Sequence, residues 1–488
     1  MPSNAEPIVA QIQQDMQALM TYVTGPQSAT HNAYTVELTL FRRLLALGAA
    51  LLHLFFLTRA ARRPAAPFAP DGTLLDYHDQ RLTSYVSVFG KIRFQRHYFV
   101  AKGQAGCCPL DAELSLPPRC YSDLLRQWSD YDATDGAYRE TASTIERMLG
   151  LDLSVAALET SMHQDAQDVA TFYAQPRSDN HLTSTGTILV VQADGKGVPM
   201  VQPTQAEQPL RLGKGQKRTK KKEAIVTSLY TIAPYLRSPA DVRAALLHEQ
   251  RREDHPSRPK PVQKETRATL EGKAAAMQTL AQRVVGRDGQ HIRARLALSD
   301  GAESLQQHLL TAFPEHTLIL DIIHASEYLW DTATALLGET NQARTEWVAA
   351  KLDLVLEGQV STVIETLEQE AACGLWSETQ RKALERTLGY YRRNQSFMRY
   401  NEYLEQGWPI GTGVVEGACG HLVKDRMEQA GMRWTLDGTQ AILNLRAVRL
   451  NNEWDVYWQY HRLQQHQRLY GAAPVGASPE AQVLQMAA

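Results

Sequence analysis

The segment at residues 187–200 constrains what this chain can fold into more than any other stretch. It reads TILVVQADGKGVPM, so that five apolar or amide residues, 188–192, precede the lone acid Asp194 and two glycines. An apolar run of this length that closes on a turn signal predicts a buried strand. Burying a carboxylate is costly unless it is paired or holds a metal. Asp194 is therefore either a satisfied structural acid or part of a metal site.

Composition indicates an ordinary globular protein with room for about two to four domains. Apolar residues make up 43% of the 488 positions and charged residues 21%. The net charge of −2 provides no overall basic field for nucleic acid, so such a partner would have to be bound by a local cluster of charge. The five cysteines form no regular ladder, which favours a reduced, intracellular compartment.

One apolar stretch, residues 44–57, is the candidate for a membrane segment. It is 14 residues long, whereas a membrane-spanning helix takes about 20, so we expect a buried core helix. The amino terminus has no basic region leading into an apolar core and a cleavage site, so no signal peptide is predicted. These features predict a cytoplasmic protein without a membrane partner.

Residues 1–130 are predicted as a helical region followed by a β-hairpin. Residues 1–65 are helical in pattern, and residues 81–100 alternate as strands do around the turn sequence FGK. Cys107, Cys108 and Cys120 follow the hairpin. Zinc ribbons require two CxxC knuckles, so unliganded thiols are favoured here over a structural zinc site.

Residues 131–178 have the pattern of a helix-turn-helix. An amphipathic helix at 138–149 is broken at Gly150, and Ser154 can cap a second helix that runs to about residue 173. This order of elements is found in helix-turn-helix DNA-binding regions. It is also found in any pair of packed helices, and the sequence leaves both interpretations open.

Residues 186–330 are predicted as an α/β layer. After the strand that carries Asp194 we expect strands at 198–202, 223–232, 293–299 and 317–323, and helices at 265–285 and 302–313. Nearly continuous helix follows at 331–408. Residues 409–470 begin with a glycine-rich break and then a helix that carries Glu416, and residues 471–488 are predicted as a flexible tail.

A basic segment at 211–222 lies between two of these strands. Seven of its twelve residues are basic and none is acidic, and such a run is either a solvated loop or a contact for phosphate groups. The candidate DNA-binding residues within it are Lys214, Lys217, Arg218, Lys220, Lys221 and Lys222.

Carboxylates stand where an α/β layer binds ligands, beyond the carboxyl ends of strands. Asp194 follows the first strand and Asp300 directly follows the strand at 293–299, while Glu416 lies among small residues that would let its helix approach the sheet. Two divalent metals about 3.5–4 Å apart, held by such carboxylates, can activate a water or a 3′-hydroxyl at a phosphodiester. Mg²⁺ prefers these hard oxygen ligands.

Several motifs together resemble the mutator-like DDE transposases of bacterial insertion sequences, the ISKra group among them. They are DGKGV after a strand, SDG after another, DIIH, and GTGVVEGAC followed by RM and GMRW, and the resemblance spans roughly residues 80–450. It implies a multidomain α/β protein with an RNase H-like catalytic core and a large all-helical insertion. It also implies that Asp194, Asp300 and Glu416 form the metal-binding triad for Mg²⁺ or Mn²⁺, with two ions.

The same resemblance implies further roles and partners. Asp321 and His324 match a signature that supports the active site or orients DNA, and Trp434 in GMRW is a candidate for stacking on an unpaired base as well as for a core aromatic. Transposon-end DNA and target DNA are the expected partners, and the protein is expected to be a homo-oligomer associated with the bacterial nucleoid.

Three alternatives stay open at this point. Asp321 could replace Asp300 as the second metal ligand, although Asp300 is preferred because it ends its strand. The chain could be an RNase H-like nuclease that cuts without joining. It could also be an inactive, DNA-binding relative of a transposase, although all three acids are present.

Overall fold

Two β-sheets organise the chain, each in a separate unit. The computed structural model describes residues 5–175, 186–201, 221–249, 257–429 and 431–471. One unit contains the chain up to Phe172 and again from Glu453, and the other runs from Tyr173 to Asn452. The last long helix therefore belongs with the amino-terminal region, which differs from the predicted grouping of residues 409–470 in one region.

The chain is mixed α/β, with strands and helices alternating from β4 to β7 and mostly helices before and after the second sheet. The strands are β1 (Asp76–Ser87), β2 (Gly90–Val100), β3 (Ile188–Pro199), β4 (Lys221–Ile232), β5 (Val262–Thr269), β6 (Ala294–Ser299) and β7 (Thr317–Leu320). The helices up to β7 are α1 (Glu6–Thr24), α2 (Pro26–Ala29), α3 (Ala33–Ala60), α4 (Pro109–Glu113), α5 (Asp123–Ala133), α6 (Tyr138–Leu149), α7 (Val155–Asp165), α8 (Val169–Ala174), α9 (Pro239–Leu246), α10 (Lys273–Val285) and α11 (Glu303–Ala312). The helices after β7 are α12 (Ile322–Leu337), α13 (Ala343–Leu356), α14 (Val360–Cys373), α15 (Glu378–Asn394), α16 (Tyr400–Glu405), α17 (Gly413–Ala418), α18 (Asp425–Met427), α19 (Leu436–Leu450) and α20 (Trp454–Tyr470).

The amino-terminal helices and the hairpin form as predicted, but the apolar helix is not buried. Strands β1 and β2 pair antiparallel around the expected turn. Residues 44–57 lie in the 28-residue α3, of which only Leu47 and Phe56 are buried. The expectation of a core helix is wrong because α3 packs one face on β2 through Phe56, Ile92 and Phe94 and leaves other apolar side chains exposed. Within the described residues, α3 is the one helix long and apolar enough to cross a membrane.

The helix-turn-helix pattern is present as local structure. Helix α6 ends at Gly150 in the left-handed conformation, and the Ser154 side chain caps α7 by accepting the Ala157 N–H. The second helix is shorter than expected, since α7 ends at Asp165 and α8 is separate. Helix α7 contains no Lys or Arg. The role of α7 in DNA binding stays a prediction, and the helix has no basic side chain that would contact phosphate groups.

The second unit is built on a five-stranded mixed sheet with the order β5-β4-β3-β6-β7. Strands β3, β4 and β5 pair antiparallel in sequence, and β6 and β7 continue the sheet parallel to β3. Alternate residues of β3 enter two different cores, because side chains alternate across a strand. Ile188 and Val190 pack with α12–α16, and Leu189 and Val191 pack with α10 and α11.

Strand β3 is longer than predicted and includes Asp194. The turn predicted after Asp194 and the separate strand predicted from residue 198 are both wrong, because β3 runs without a break to Pro199; residue 202, the end of that predicted strand, lies outside the described residues. Gly195 and Gly197 stay in the ladder, paired with Ile225 and Glu223 of β4. The glycines serve close approach instead of a turn, since a Cβ at Gly195 would lie 2.4 Å from the Glu223 carboxylate.

Two further boundaries differ from the sequence analysis. The helix expected at 265–285 is strand β5 for its first residues, and the helix begins only after Gly272, whose φ of +96° breaks the chain direction. The strand expected at 317–323 ends at Leu320, and Asp321 caps α12 by accepting the His324 N–H. Asp321 therefore also ends its strand, which removes the reason for preferring Asp300. The helices expected at 331–408 and near Glu416 are confirmed.

Candidate active site

The sheet register brings three acids to one row. Gln192 of β3 pairs with Leu298 of β6, and Ser299 of β6 pairs with Leu320 of β7. Counting forward along these parallel strands places Asp194, Asp300 and Asp321 in the same row across the sheet. The face of the sheet that packs on α12–α16 carries Ile188, Val190, Leu296 and Leu298. Because side chains alternate along a strand, Asp194 and Asp300 are on that same face.

Gln192 connects this row to the helix that carries Glu416. It is fully buried, and its Nε2 donates to the Tyr230 hydroxyl at 3.0 Å and to the Gly411 carbonyl at 3.3 Å. Its Oε1 accepts the Val415 N–H at 3.0 Å. Because Val415 is the second residue after Gly413 at the start of α17, this bond fixes the first turn of the helix against β3. Glu416 is the next residue along.

Asp194 contacts the same helix directly. Its Oδ2 accepts the Cys419 thiol at 3.3 Å, and its Oδ1 accepts the Gly195 N–H at 2.6 Å. Burial raises the pKa of the Asp194 carboxyl, and the nearby Asp300 charge adds to that rise, while the Cys419 and Gly195 hydrogen bonds oppose it. A carboxylate that is partly desolvated beside a like charge is a site at which a bound cation would be stabilised.

Asp321, His324, Thr412 and Glu416 form a linked group next to this row. The Asp321 Oδ2 lies 2.6 Å from His324 Nδ1, and its Oδ1 accepts the Thr412 N–H at 3.1 Å. The Thr412 hydroxyl donates to Glu416 Oε1 at 2.5 Å. The hydrogen bond to Asp321 raises the pKa of His324 to about 9, against the opposing effect of burial. The imidazole is therefore a cation at neutral pH when no metal competes for it.

Hydrogen bonds to the side chain and to the backbone carbonyl position Asp300. Its Oδ1 accepts the Ala302 N–H at 2.9 Å. Tyr390 of the helical insertion donates its hydroxyl to the Asp300 carbonyl at 2.8 Å. Gly301 has a φ of +91°, and a Cβ there would lie 2.7 Å from the Tyr390 ring. Only glycine fits this close approach, which explains the SDG sequence.

The helix that carries Glu416 does not continue as a regular α-helix. Cys419–Lys424 form a π-helical turn between α17 and α18. Such turns are rare and are frequently found at functional sites. The turn places Cys419 in contact with Asp194 while Leu422 and Val423 remain buried.

Asp321, His324 and Glu416 are the residues whose ligand atoms come together most closely. These atoms lie within 4.8 Å of one another, a spacing that could hold a metal ion. In the described part of the chain, no group that meets this criterion contains Asp194 or Asp300. Among the described residues, the group that meets this criterion therefore joins Asp321 and His324 to Glu416 and does not include the other two acids of the predicted triad.

Sequence reasoning missed Gln192 and Thr412, and it did not assign a role to Cys419. Gln192 gave a signal, since it is the single amide in an otherwise apolar buried strand. A polar side chain at such a position must find partners. Its partners on the Glu416 segment lie 219 and 223 residues further along the chain, and spacing along the sequence does not indicate such distant partners.

Only two of the six basic DNA-binding candidates lie within the described residues. Lys214, Lys217, Arg218 and Lys220 lie outside the described residues. Lys221 and Lys222 begin β4 with exposed side chains, and Lys221 pairs with Glu428 at 2.5 Å.

Trp434 is only 8% exposed. Its Nε1 donates to the Met427 carbonyl at 3.1 Å, and the Arg426 guanidinium lies 4.7 Å from the ring centroid. The burial of the ring and its Nε1 hydrogen bond favour the core aromatic of the two predicted roles, and stacking on an unpaired base stays a prediction.

Comparison with known proteins does not assign a function to this site. No model of a known protein family matches the chain, and no curated protein sequence is significantly similar to it.

Proposed function

We propose that this chain is a DNA transposase that binds the ends of an insertion sequence and catalyses strand cleavage and strand transfer. The observation that carries the proposal is the attachment of the Glu416 helix to the strand that bears Asp194. It is made by the Val415–Gln192 and Cys419–Asp194 hydrogen bonds. These contacts join segments 223 and 225 residues apart in the sequence, as an active site assembled from distant acids requires.

The order and direction of the five strands support an RNase H-like core. Three antiparallel strands are continued by two parallel ones, and the acids stand at the end of β6, at the end of β7 and within β3, the central strand. The helices from α12 to α16 follow β7 and precede Glu416, which agrees with the all-helical insertion of the resembled family.

The donor set suits Mg²⁺ or Mn²⁺. Asp194, Asp300 and Glu416 offer hard carboxylate oxygens. Beside them, the ligand atoms of Asp321, His324 and Glu416 lie within 4.8 Å of one another. Asp194, Asp300 and Glu416 would hold two ions, and Asp321 would orient Glu416 through Thr412. When bound, divalent cations supply an activated water or 3′-hydroxyl and charge stabilisation at the leaving oxygen.

The protein's own residues have defined parts in this proposal. Gln192 and Cys419 hold α17 against β3, so that Glu416 keeps one position relative to Asp194. The His324 cation, 3.9 Å from Glu416, offsets negative charge in the group before metal binds. Lys221 and Lys222 lie at the start of β4, on the strand that pairs with β3, and supply positive charge for a DNA backbone.

The test uses purified full-length protein and DNA that borders its coding sequence. We expect Mg²⁺-dependent nicking at the element ends, and we expect Asp194→Asn to abolish nicking while end binding is retained. Glu271→Gln, which changes an exposed acid of the same unit, is the matched control and should leave nicking intact. Nicking that persists in Asp194→Asn would contradict the proposal.

A pre-nicked substrate separates the transposase from the nuclease. Joining of the free 3′-hydroxyl to a second DNA supports a transposase, whereas cleavage without joined product supports an RNase H-like nuclease. End binding without cleavage in either divalent metal supports the inactive DNA-binding relative.

A further inference from the structure

A network of charged side chains lies inside the amino-terminal unit and includes no residue of the candidate active site. It joins α5 and α7 to α20, the helix with which the chain returns to this unit. Asp130, Asp165 and His461 are fully buried, and Arg126 is only 3% exposed. Charged groups are rarely buried to this extent unless each has a partner. The members of this α20 network are Asp123, Arg126, Asp130, Asp165, Asp168, His461 and Arg468.

His461 of α20 is the centre of the α20 network. Its Nε2 lies 3.0 Å from Asp165 Oδ1, and its Nδ1 lies 2.7 Å from Asp168 Oδ2. Each ring nitrogen thus faces a carboxylate oxygen, an arrangement in which both nitrogens carry a proton and donate. Although burial acts to lower it, the pKa of His461 is raised by the hydrogen bonds to Asp165 and Asp168. The imidazolium therefore ties α20 to two acids of the preceding helices.

Two arginines complete the pairing of charges. Arg126 Nη1 donates to Asp165 Oδ1 at 2.5 Å, and its Nη2 donates to Asp123 Oδ1 at 2.7 Å. Arg468 of α20 donates to both carboxyl oxygens of Asp168, at 2.5 and 2.9 Å. Three cations of the network are thus matched by three carboxylates.

Asp130 is the fourth acid, and it stands outside this pairing. Among the described residues, no N–H or O–H group donates to either of its carboxyl oxygens, and none donates to Asp165 Oδ2. A buried carboxylate without such donors takes up a proton instead. Burial raises the pKa of Asp130 well above its ordinary value, and the charge of Asp165 and the hydrogen bond to it raise it further, while Arg126 opposes this rise. A protonated Asp130 that donates to Asp165 Oδ2 gives each of the two carboxyl groups a partner.

We propose that Asp130 and Asp165 share one proton, and that this proton holds α20 on α5 and α7. Loss of the proton leaves two ionised carboxylates in contact, and like charges in one buried site repel. It also places four carboxylates against three cations. The repulsion acts on Asp165, the acid to which Arg126 and His461 both donate, so that the contact between the three helices is weakened. This device goes beyond the proposed function and is tested without DNA or metal.

The sign of the pH dependence follows from the groups of the network. A carboxyl that is protonated only while α20 is held stabilises that state fully below its ordinary pKa of 3.8, and this contribution is lost as the pH rises toward the raised pKa of Asp130. His461 acts in the same direction above its ordinary pKa of 6.5. Although burial acts to raise it, the pKa of Asp168 is lowered by the hydrogen bonds to His461 and Arg468, so the contribution of Asp168 changes only in acid. We therefore expect α20 to be released as the pH rises.

Three tyrosines border the network without adding charge. Tyr85 of β1 lies close enough to feel the charges of α5, Tyr457 donates its hydroxyl to the Asp165 carbonyl, and Tyr470 donates to the Leu116 carbonyl. Burial raises the pKa of all three above the ordinary value of 10. They stay neutral over the range of the test.

The experiment is hydrogen–deuterium exchange of the full-length protein between about pH 5 and pH 9. Mass spectrometry reports the protection of the α20 amides relative to an unstructured chain at each pH. One proton released on opening changes this protection about tenfold per pH unit. We expect wild-type protection to fall by up to about tenfold per unit between pH 5 and 6.5, where Asp130 acts without His461, and more steeply above pH 6.5.

Variants separate the two groups. Asp130→Asn keeps a donor toward its neighbour and cannot lose a proton, so it should flatten the fall below pH 6.5 by up to about tenfold per unit. His461→Gln should keep that fall and lose the steeper part above pH 6.5. Asp152→Asn changes an exposed acid of the same unit and should behave as wild type. His466 of α20, which contacts Ser115, is present in every variant and cancels in the comparison.

Infrared spectra of the wild type observe the proton directly. We expect a carbonyl band of a protonated carboxyl at pH 6 that is lost together with α20 protection as the pH rises, and that is absent from Asp130→Asn. A wild type without this band would overturn the proposal, whether or not the variant folds. An Asp130→Asn protein that is folded by circular dichroism and has the wild-type pH dependence below pH 6.5 would overturn it as well.

Discussion

The side-chain oxygen of Gln192 accepts the backbone N–H of Val415 at 3.0 Å, and so a buried amide of the central strand positions the helix that carries Glu416. The same amide donates to the Gly411 carbonyl on the loop before that helix. Both ends of the side chain are thus used to hold one segment. Together with the Cys419–Asp194 hydrogen bond, this amide holds the Glu416 helix against the strand that carries Asp194.

We predict that Gln192→Leu lowers both stability and activity. Leucine has a similar volume but leaves the Val415 N–H and the Gly411 carbonyl without their partner, at about 1–3 kcal/mol for each buried group. The loss is measured by urea unfolding, and nicking of element ends should fall by more than stability alone explains.

A second buried glutamine provides the control. Gln306 donates to the Asn394 side chain in the same unit, and Gln306→Leu should cost similar stability without a specific loss of nicking. Equal nicking by both variants under conditions where both are folded would show that Gln192 has only a structural role.

The sequence predicted the elements whose signals are local. The apolar runs of β3, β4, β6 and β7 and the acids Asp194 and Asp300 beside them were found, because an apolar strand and a following acid are readable from neighbouring residues. Strand β5 was missed. Its sequence VQKETRAT carries no apolar period, and it is a strand because it pairs with β4 at the edge of the sheet.

The parts that could not be predicted depend on contacts between distant segments. Gly195 and Gly197 predict a turn in isolation, but the ladder with β4 keeps them extended. Similarly, nothing near Cys419 in the sequence indicates that its thiol donates a hydrogen bond to Asp194, because the two residues are 225 positions apart. Spacing along the chain carries no information about such pairings.

Asp300 and Asp321 can be separated as metal ligands by one pair of variants. Both Asp321 oxygens already accept hydrogen bonds, from Thr412 and from His324. The Asp300 Oδ2 has no hydrogen-bond donor among the residues that the structure describes. We therefore predict that Asp300→Asn removes one of the bound ions in a calorimetric Mn²⁺ titration, while Asp321→Asn keeps the number of ions and lowers their affinity.

The opposite result would reassign the triad. A full loss of one ion in Asp321→Asn, with the wild-type number in Asp300→Asn, would make Asp321 the second ligand. Thermal melting of both variants without metal controls for folding, since Asp321 also caps α12 and asparagine can keep that cap.

His324 should make the stability of the metal-free protein depend on pH. Its pKa is raised from 6.5 to about 9 by the hydrogen bond to Asp321. A raised pKa stabilises the folded state fully below pH 6.5, and this contribution is lost as the pH rises through about 9. It amounts to roughly 2–3 kcal/mol at most, because the side chain is 31% exposed and solvent screens the pair.

The measurement compares wild type with His324→Gln by urea unfolding in the presence of a chelator. We expect the difference in free energy of unfolding to be largest at pH 6 and to disappear near pH 10, with most of the change above pH 7. A difference that stays constant over this range would show that the imidazole is not held as a cation in the folded protein.

Cys419 should act as a positioning residue whose thiol holds the Asp194 carboxylate. Burial raises the pKa of this thiol, and the neighbouring Asp194 charge raises it further, so the group stays protonated and remains a donor. We predict that Cys419→Ser, which keeps a donor, retains most nicking activity. Cys419→Val has a similar volume without a donor and should lower the rate of nicking about tenfold, as expected when a hydrogen bond to a charged group is lost.

Metal dependence gives the readout that distinguishes positioning from packing at Cys419. If the thiol orients Asp194, Cys419→Val should require a higher Mg²⁺ concentration for half-maximal nicking, and its melting temperature should change little. A variant that melts much earlier but nicks with the wild-type Mg²⁺ dependence would show that the thiol only fills space between the π-helical turn and β3.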